Sequence, residues 1–189
     1  MANHFFDVGA NVGQTFDDFL LNHPQFDGWD IWCFEPSPRH VPALIEKARA
    51  LTSRYRIHIC PFGLRGRSGP QTFFQKDDER GDSFESYLAS DHETVNLDTG
   101  YLLHSAAYEA GQFILQHTAP DDKIWLKLDC EGSEFDLLST LIGNTEALAR
   151  VDQILVEWHT IQSIAPIRNI RELHLMYLSI GKRLERWAF

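Results

Sequence analysis

The chain lacks any run of about 18 apolar residues, the length a membrane-spanning helix needs, so the membrane is not an expected partner. No basic stretch leads into an apolar one at Met1-Ala2-Asn3-His4, and the acidic Asp7 follows closely. That is not a signal-peptide pattern, and the expected location is cytoplasmic. Positive charge is scarce: 17 Lys and Arg stand against 27 Asp and Glu, a formal net charge of -10. Phosphate backbones repel such a chain, so nucleic acid is not an expected partner; the short basic clusters at Arg54 to Arg56 and Arg65 to Arg67 are local exceptions. Cysteine is sparse as well. Cys33, Cys60 and Cys130 are odd in number, have no metal-type spacing and lie in or beside apolar runs, which predicts buried reduced thiols. Cys130 sits beside acidic residues, a poor setting for a nucleophilic thiolate. Repeats and low-complexity tracts are missing too. The 189 residues, 43% of them hydrophobic, fit a single globular domain.

What is present is an alternation of strand and helix patterns. His4 to Val8 is an apolar run ending in a glycine-rich turn, and Gln14 to Asn22 follows at helical spacing through Phe16, Phe19 and Leu20. Trp29 to Phe34 reads as a second strand, and Pro36-Ser37-Pro38 as a turn into a helix carrying Val41, Leu44, Ile45 and Ala48. Arg56 to Cys60 is a third strand, stopped by Pro61. The middle is less regular. Gln71 to Phe74 is a candidate strand, Gln75 to Glu85 a charged loop, Thr94 to Leu97 a short extended piece, and Glu109 to His117 a helix. Then come strand Lys123 to Leu128, a helix marked by Phe135, Leu137, Leu138 and Leu141, strand Gln153 to Trp158, helix Ile170 to Leu178, and a last strand candidate at Arg183 to Trp187. This order predicts an α/β fold: a mostly parallel central sheet in a three-layer, Rossmann-like α/β/α sandwich.

Such sheets bind ligands outside the carboxyl ends of their strands. Acidic residues close four apolar runs here, at Asp7, Glu35, Asp129 and Glu157. The turn Asp7-Val8-Gly9-Ala10-Asn11-Val12-Gly13 has glycine where a tight bend needs it, and Asn11 tolerates the left-handed region. Glu35, at the end of the second strand, suits a carboxylate that accepts hydrogen bonds from both hydroxyls of a ribose. A dinucleotide site wants a third glycine where Gln14 stands. S-adenosylmethionine carries a sulfonium and an amino acid instead of phosphates, and an acidic rim suits it. Asp7 is placed to face its ammonium group, directly or through water. Phe62, beside Gly63 after the third strand, is a candidate to stack on adenine.

Phe6-Asp7-Val8-Gly9-Ala10-Asn11-Val12-Gly13-Gln14-Thr15, then Phe34-Glu35-Pro36-Ser37-Pro38, then Leu126-Lys127-Leu128-Asp129-Cys130-Glu131-Gly132-Ser133-Glu134 resembles the FkbM family of methyltransferases, and Ile154-Leu155-Val156-Glu157-Trp158-His159 is similar to the same pattern. The resemblance implies O-methylation, with S-adenosylmethionine, of a hydroxyl on a small-molecule or carbohydrate-like acceptor. It implies cofactor contacts at Asp7, Gly9, Ala10, Asn11, Gly13, Gln14, Thr15, Glu35, Pro36 and Asp129, beside Phe62 and Gly63. The expected organisation is one methyltransferase domain over residues 1–189, with a substrate-covering insertion at about 70–105. One departure is that the methyltransferase sheet ordinarily ends in a hairpin, whereas only one terminal strand can be placed here. An unpaired sheet edge there suggests a homodimer.

A hydroxyl nucleophile must lose its proton as the methyl group arrives. The candidates to take it are Asp129 and Glu131 after one strand and Glu157 and His159 after the next. His159 is preferred because an unperturbed imidazole titrates near neutrality. Glu134 falls in the first turn of a helix, where its charge favours the dipole. Asp129 and Glu157 are alternatively oxygen ligands for Mg²⁺. Two other functions compete: a cofactor-binding Rossmann-like module without catalysis, and an NAD(P)-dependent dehydrogenase. Against the dehydrogenase stand the missing third glycine and the lack of a Tyr-x-x-x-Lys pair.

Overall fold

A computed structural model describes residues 1–76, 83–85, 100–131, 133–158, 178, 180 and 184–186. In chain order its elements are β1 (Asn3–Val8), α1 (Gln14–Asp18), two 3-10 turns (Leu20–Asn22 and Pro24–Phe26), β2 (Asp30–Phe34), α2 (Val41–Ala50), β3 (Arg56–Cys60), β4 (Gly63–Arg65), β5 (Gly69–Lys76), β6 (Ser83–Glu85), β7 (Gly100–Glu109), α3 (Ala110–His117), β8 (Lys123–Leu128), α4 (Glu134–Gly143), α5 (Thr145–Ala149), β9 (Val151–Val156) and β10 (Leu184–Arg186).

The main sheet has the strand order β3-β2-β1-β8-β9-β10, and every pairing in it is parallel. The chain starts at its centre, steps outward to β3, then returns to the other side of β1. That reversal puts a crevice at the carboxyl ends of β1 and β8. Side chains alternate across the strands, and two cores result. Phe6, Val8, Phe34, Leu126, Leu128, Ile154 and Val156 pack against Phe113 and Ile114 of α3 and Leu137, Leu138 and Leu141 of α4. Phe5, Ile31, Cys33 and Leu155 face the other way, onto Phe16, Leu20, Phe26 and Leu44. This is the three-layer α/β/α sandwich that the order of elements predicts.

Several local expectations change. The first helix stops at Asp18, because Phe19 leaves helical geometry (φ -125°) and the chain continues in 3-10 turns. Gln75, Lys76 and residues 83–85 are strand, which corrects both ends of the charged loop expected from Gln75 to Glu85; its middle lies outside the described residues. The extended piece at Thr94 to Leu97 and nearly all of the helix at Ile170 to Leu178 also lie outside them. β4, β7 and α5 were not expected. β4 and β7 join β5 and β6 in a second sheet, of order β4-β7-β5-β6, in which β4 pairs parallel with β7. β4 therefore ties this sheet to the carboxyl edge of the main one. Among the described residues no helix is long and apolar enough to cross a membrane.

Candidate active site

The turn after β1 is pinned to β2. The Gly9 and Ala10 amides both donate to the Phe34 carbonyl at 3.1 Å. Gly9 has φ 81°, and a Cβ there would lie 1.7 Å from the Asp129 carbonyl oxygen, so only glycine lets the ends of β1 and β8 close. Gly13 is positive in φ too, and its missing Cβ makes room for Leu44 and Lys47 of α2. Asn11 adopts the left-handed region (φ 48°), which turns its amide towards Glu35.

Glu35 is held from two sides. Its Oε2 accepts the Asn11 amide and its Oε1 the Ser37 amide, each at 2.8 Å. It is 4% exposed. Charge-assisted bonds of this kind are among the stronger ones, so the carboxylate arrives at the cavity already oriented. His40 Nδ1 lies 3.4 Å from Glu35 Oε1. His40 is 5% exposed, yet neither of its ring nitrogens makes a hydrogen bond among the described residues. A buried polar atom left so costs about 1–3 kcal/mol.

The far wall follows β8 and β9. Register pairs Asp7 with Lys127 on adjacent strands. The Lys127 ammonium lies 3.0 Å from Asp7 Oδ1 and 3.1 Å from Asp129 Oδ2, and it donates to the Gly9 carbonyl at 3.2 Å. Burial works against its charge, but the two carboxylates outweigh that and hold the ammonium above the ordinary lysine range. Glu131 sits in the left-handed region (φ 53°), a conformation rare for residues other than Gly, Asn and Asp. Glu134, fully buried in the first turn of α4, accepts the Cys130 amide at 2.9 Å and so shapes the loop that presents Glu131. Burial, with Glu134 and Asp129 nearby, pushes the Cys130 thiol up.

These elements enclose a cavity of about 240 Å³ at the carboxyl edge. Of the expected residues, Gly9, Asn11, Gln14, Glu35, Pro36, Gly63, Asp129, Glu131 and Glu157 line it. Asp7 does not: it is 1% exposed beneath the cavity, on Lys127, because strand alternation turns it towards the layer of α1 and α2. Ala10, Gly13 and Thr15 are buried behind the wall. Phe62 packs on Tyr108 (ring centroids 4.6 Å apart) and Phe34 (6.0 Å) rather than in the wall. His159 and Gly132 lie outside the described residues. His40, Arg65, Cys130 and Ser133 line the cavity without having been expected there. His40 carried a usable signal: it sits at i, i+4, i+8 with Leu44 and Ala48, an apolar helix face on which a histidine is out of place. The basic clusters are not open patches. Arg54 pairs with Asp27, Arg56 with Asp30, and Arg65 is 4% exposed. Among the described residues no group of three His, Cys, Asp or Glu side chains is arranged to hold a metal ion.

A doubly wound parallel sheet with a ligand-sized, carboxylate-lined cavity at its switch point defines a Rossmann-like domain. The family model of the methyltransferase FkbM domain matches residues 7–178, so the chain belongs to that family and is a methyltransferase. No curated protein and no solved structure gives a significant match.

Proposed function

We propose that the protein transfers the methyl group of S-adenosylmethionine to a hydroxyl of a small-molecule or carbohydrate-like acceptor. The observation that carries this reading is Glu35, fixed by the Asn11 and Ser37 amides at the cavity wall with lone pairs left for a ribose diol. The donor set fits the cofactor. Asp129, Glu131 and Glu157 gather opposite Glu35, where a sulfonium and an ammonium group find negative charge. The cofactor supplies a methyl carbon already activated by its sulfonium leaving group. The chain's own tasks are then orientation and exclusion of water. Glu35 holds the ribose, the Gly9 turn brings the ends of β1 and β8 together, and Lys127 keeps the Asp129 carboxylate in place. The acceptor proton passes to a base at the β9 end. His159, two residues beyond Glu157, is the preferred base; Glu157 itself, and Asp129 and Glu131 after β8, are its alternates.

The test is calorimetric titration with S-adenosylmethionine, S-adenosylhomocysteine and NAD, followed by a methyl-transfer screen over sugars and phenols with and without EDTA. Micromolar binding of the two sulfur compounds and methyl transfer to a hydroxyl are expected. Tight NAD binding with no response to either sulfur compound overturns the reading. Activity abolished by EDTA would give Asp129 and Glu157 a metal-holding role instead.

A further inference from the structure

His40 is a buried polar group in the cavity wall with both ring nitrogens left without a hydrogen bond among the described residues. It lies on the buried face of the α2 segment, in line with Leu44 and Ala48, where an aliphatic side chain would pack without an unsatisfied nitrogen. Its ring instead stands beside Glu35, with Nδ1 3.4 Å from Oε1 and no hydrogen bond made by either nitrogen among the described residues. Glu35 has one backbone donor on each oxygen. An ionised carboxylate has about four acceptor positions, so it can take a ribose diol and still accept one further N–H. The approach needed to bring Nδ1 to hydrogen-bond distance is about 0.5 Å.

We propose that His40 is a positioning residue of the cofactor site: its Nδ1–H closes on the Glu35 carboxylate and holds it when the ribose diol binds. The proposal rests on reading the cavity as an adenosine site. The nitrogens of His40 are shielded from solvent, so the residue acts through Glu35 rather than on the ligand itself. Its identity is then set by geometry. Asparagine can place an amide nitrogen near Nδ1; glutamine reaches towards Nε2; leucine offers neither.

The experiment is titration of the full chain with S-adenosylhomocysteine, using wild type, His40→Leu, His40→Asn, His40→Gln, Glu35→Gln and the double variant His40→Leu/Glu35→Gln. His40→Leu is expected to weaken binding about tenfold. His40→Asn should recover most of that loss and His40→Gln little of it. In the Glu35→Gln background, His40→Leu should add less than about twofold, because its effect passes through the carboxylate. A His40→Leu protein that binds like wild type overturns the proposal, as does a loss that simply adds to that of Glu35→Gln. If His40→Leu does not fold, the asparagine and glutamine variants decide: equal affinities for the two overturn it. A wild type that binds no S-adenosylhomocysteine takes down the adenosine reading and the role of His40 with it. Wild-type binding with an indifferent His40 takes down the second alone.

Discussion

The two edges of the parallel sheet treat acidic residues in opposite ways. At the amino edge, Asp30 meets Arg56 at 2.6 Å and His58 at 3.0 Å, Asp122 meets His4 at 3.2 Å, and Asp27 nearby meets Arg54 at 2.6 Å. Each of these carboxylates has a basic partner; the Arg54 and Arg56 pairs reach the surface, whereas His4 and Asp122 are buried. At the carboxyl edge, Glu35, Asp129, Glu131 and Glu157 surround one cavity, and the described cations beside them are Arg65 in the wall and Lys127 beneath it. In the first arrangement the two arginine pairs are ordinary surface pairing, where one ion pair contributes about 0–1 kcal/mol. The second concentrates negative charge in a partly enclosed space, which raises the local concentration of a cationic ligand. The amino edge holds its carboxylates in ion pairs, and the carboxyl edge gathers them around one cavity.

Removing Lys127 tests this contrast most severely. Lys127→Met leaves Asp7, 1% exposed, without its cation, and frees the Asp129 carboxylate from its anchor. Breaking a buried pair from one side costs about 3–5 kcal/mol. Urea unfolding followed by circular dichroism should show a loss of that size. A midpoint close to wild type would mean that the ammonium does not hold the carboxyl edge together. The paired change Asp7→Leu/Lys127→Met should cost less than Lys127→Met alone, because it leaves no orphaned charge.

The next effect is on binding, not on folding. Glu35→Ala should raise the dissociation constant of S-adenosylhomocysteine by about 10- to 100-fold, through loss of the ribose bonds. Stability should fall by only about 1–2 kcal/mol, as the Asn11 and Ser37 amides lose their acceptor. Together the two substitutions separate a stability role for Lys127 from the ligand-holding role proposed for Glu35.

This division was only half legible in the sequence. Glu35, Asp129 and Glu157 could be read because each ends an apolar run and an α/β fold brings such ends to one edge. Gly9 could be read as a tight turn, but its closest constraint, the Asp129 carbonyl, lies 120 residues away and becomes visible only once β1 and β8 are neighbours. Asp7 was read as a rim residue for the same reason: its true partner, Lys127, depends on strand register. β7 was missed because Ser105-Ala106-Ala107 has no strand pattern, and pairing with β5 over eight positions overrides that weak local preference. His40 escapes the apolar periodicity of the α2 face because its side chain is polar, although it stands in line with Leu44 and Ala48. His159 and most of the segment between β5 and β7 lie outside the described residues.

The smallest expected effect lies at the amino edge and depends on pH. The Arg56 hydrogen bonds, against burial and with help from His58, hold the Asp30 carboxyl down at about 2. An unfolded Asp titrates near 3.9. The folded state therefore binds fewer protons between these values, and the contribution of Asp30 is fully present above about pH 4 and lost as pH falls through about 2. Asp30→Asn should lower the urea midpoint slightly at pH 5, by about 1 kcal/mol or less in stability, because Arg56 is largely exposed. The gap between variant and wild type should then narrow as pH drops from 4 towards 2. A gap that stays constant over that window would show that the Arg56 pair does not hold the carboxylate. Cofactor affinity at neutral pH should be unchanged in Asp30→Asn, since Asp30 opens β2 and Glu35 follows its end, a full strand length away. A variant that weakened binding while barely moving stability would erase the distinction between the two edges.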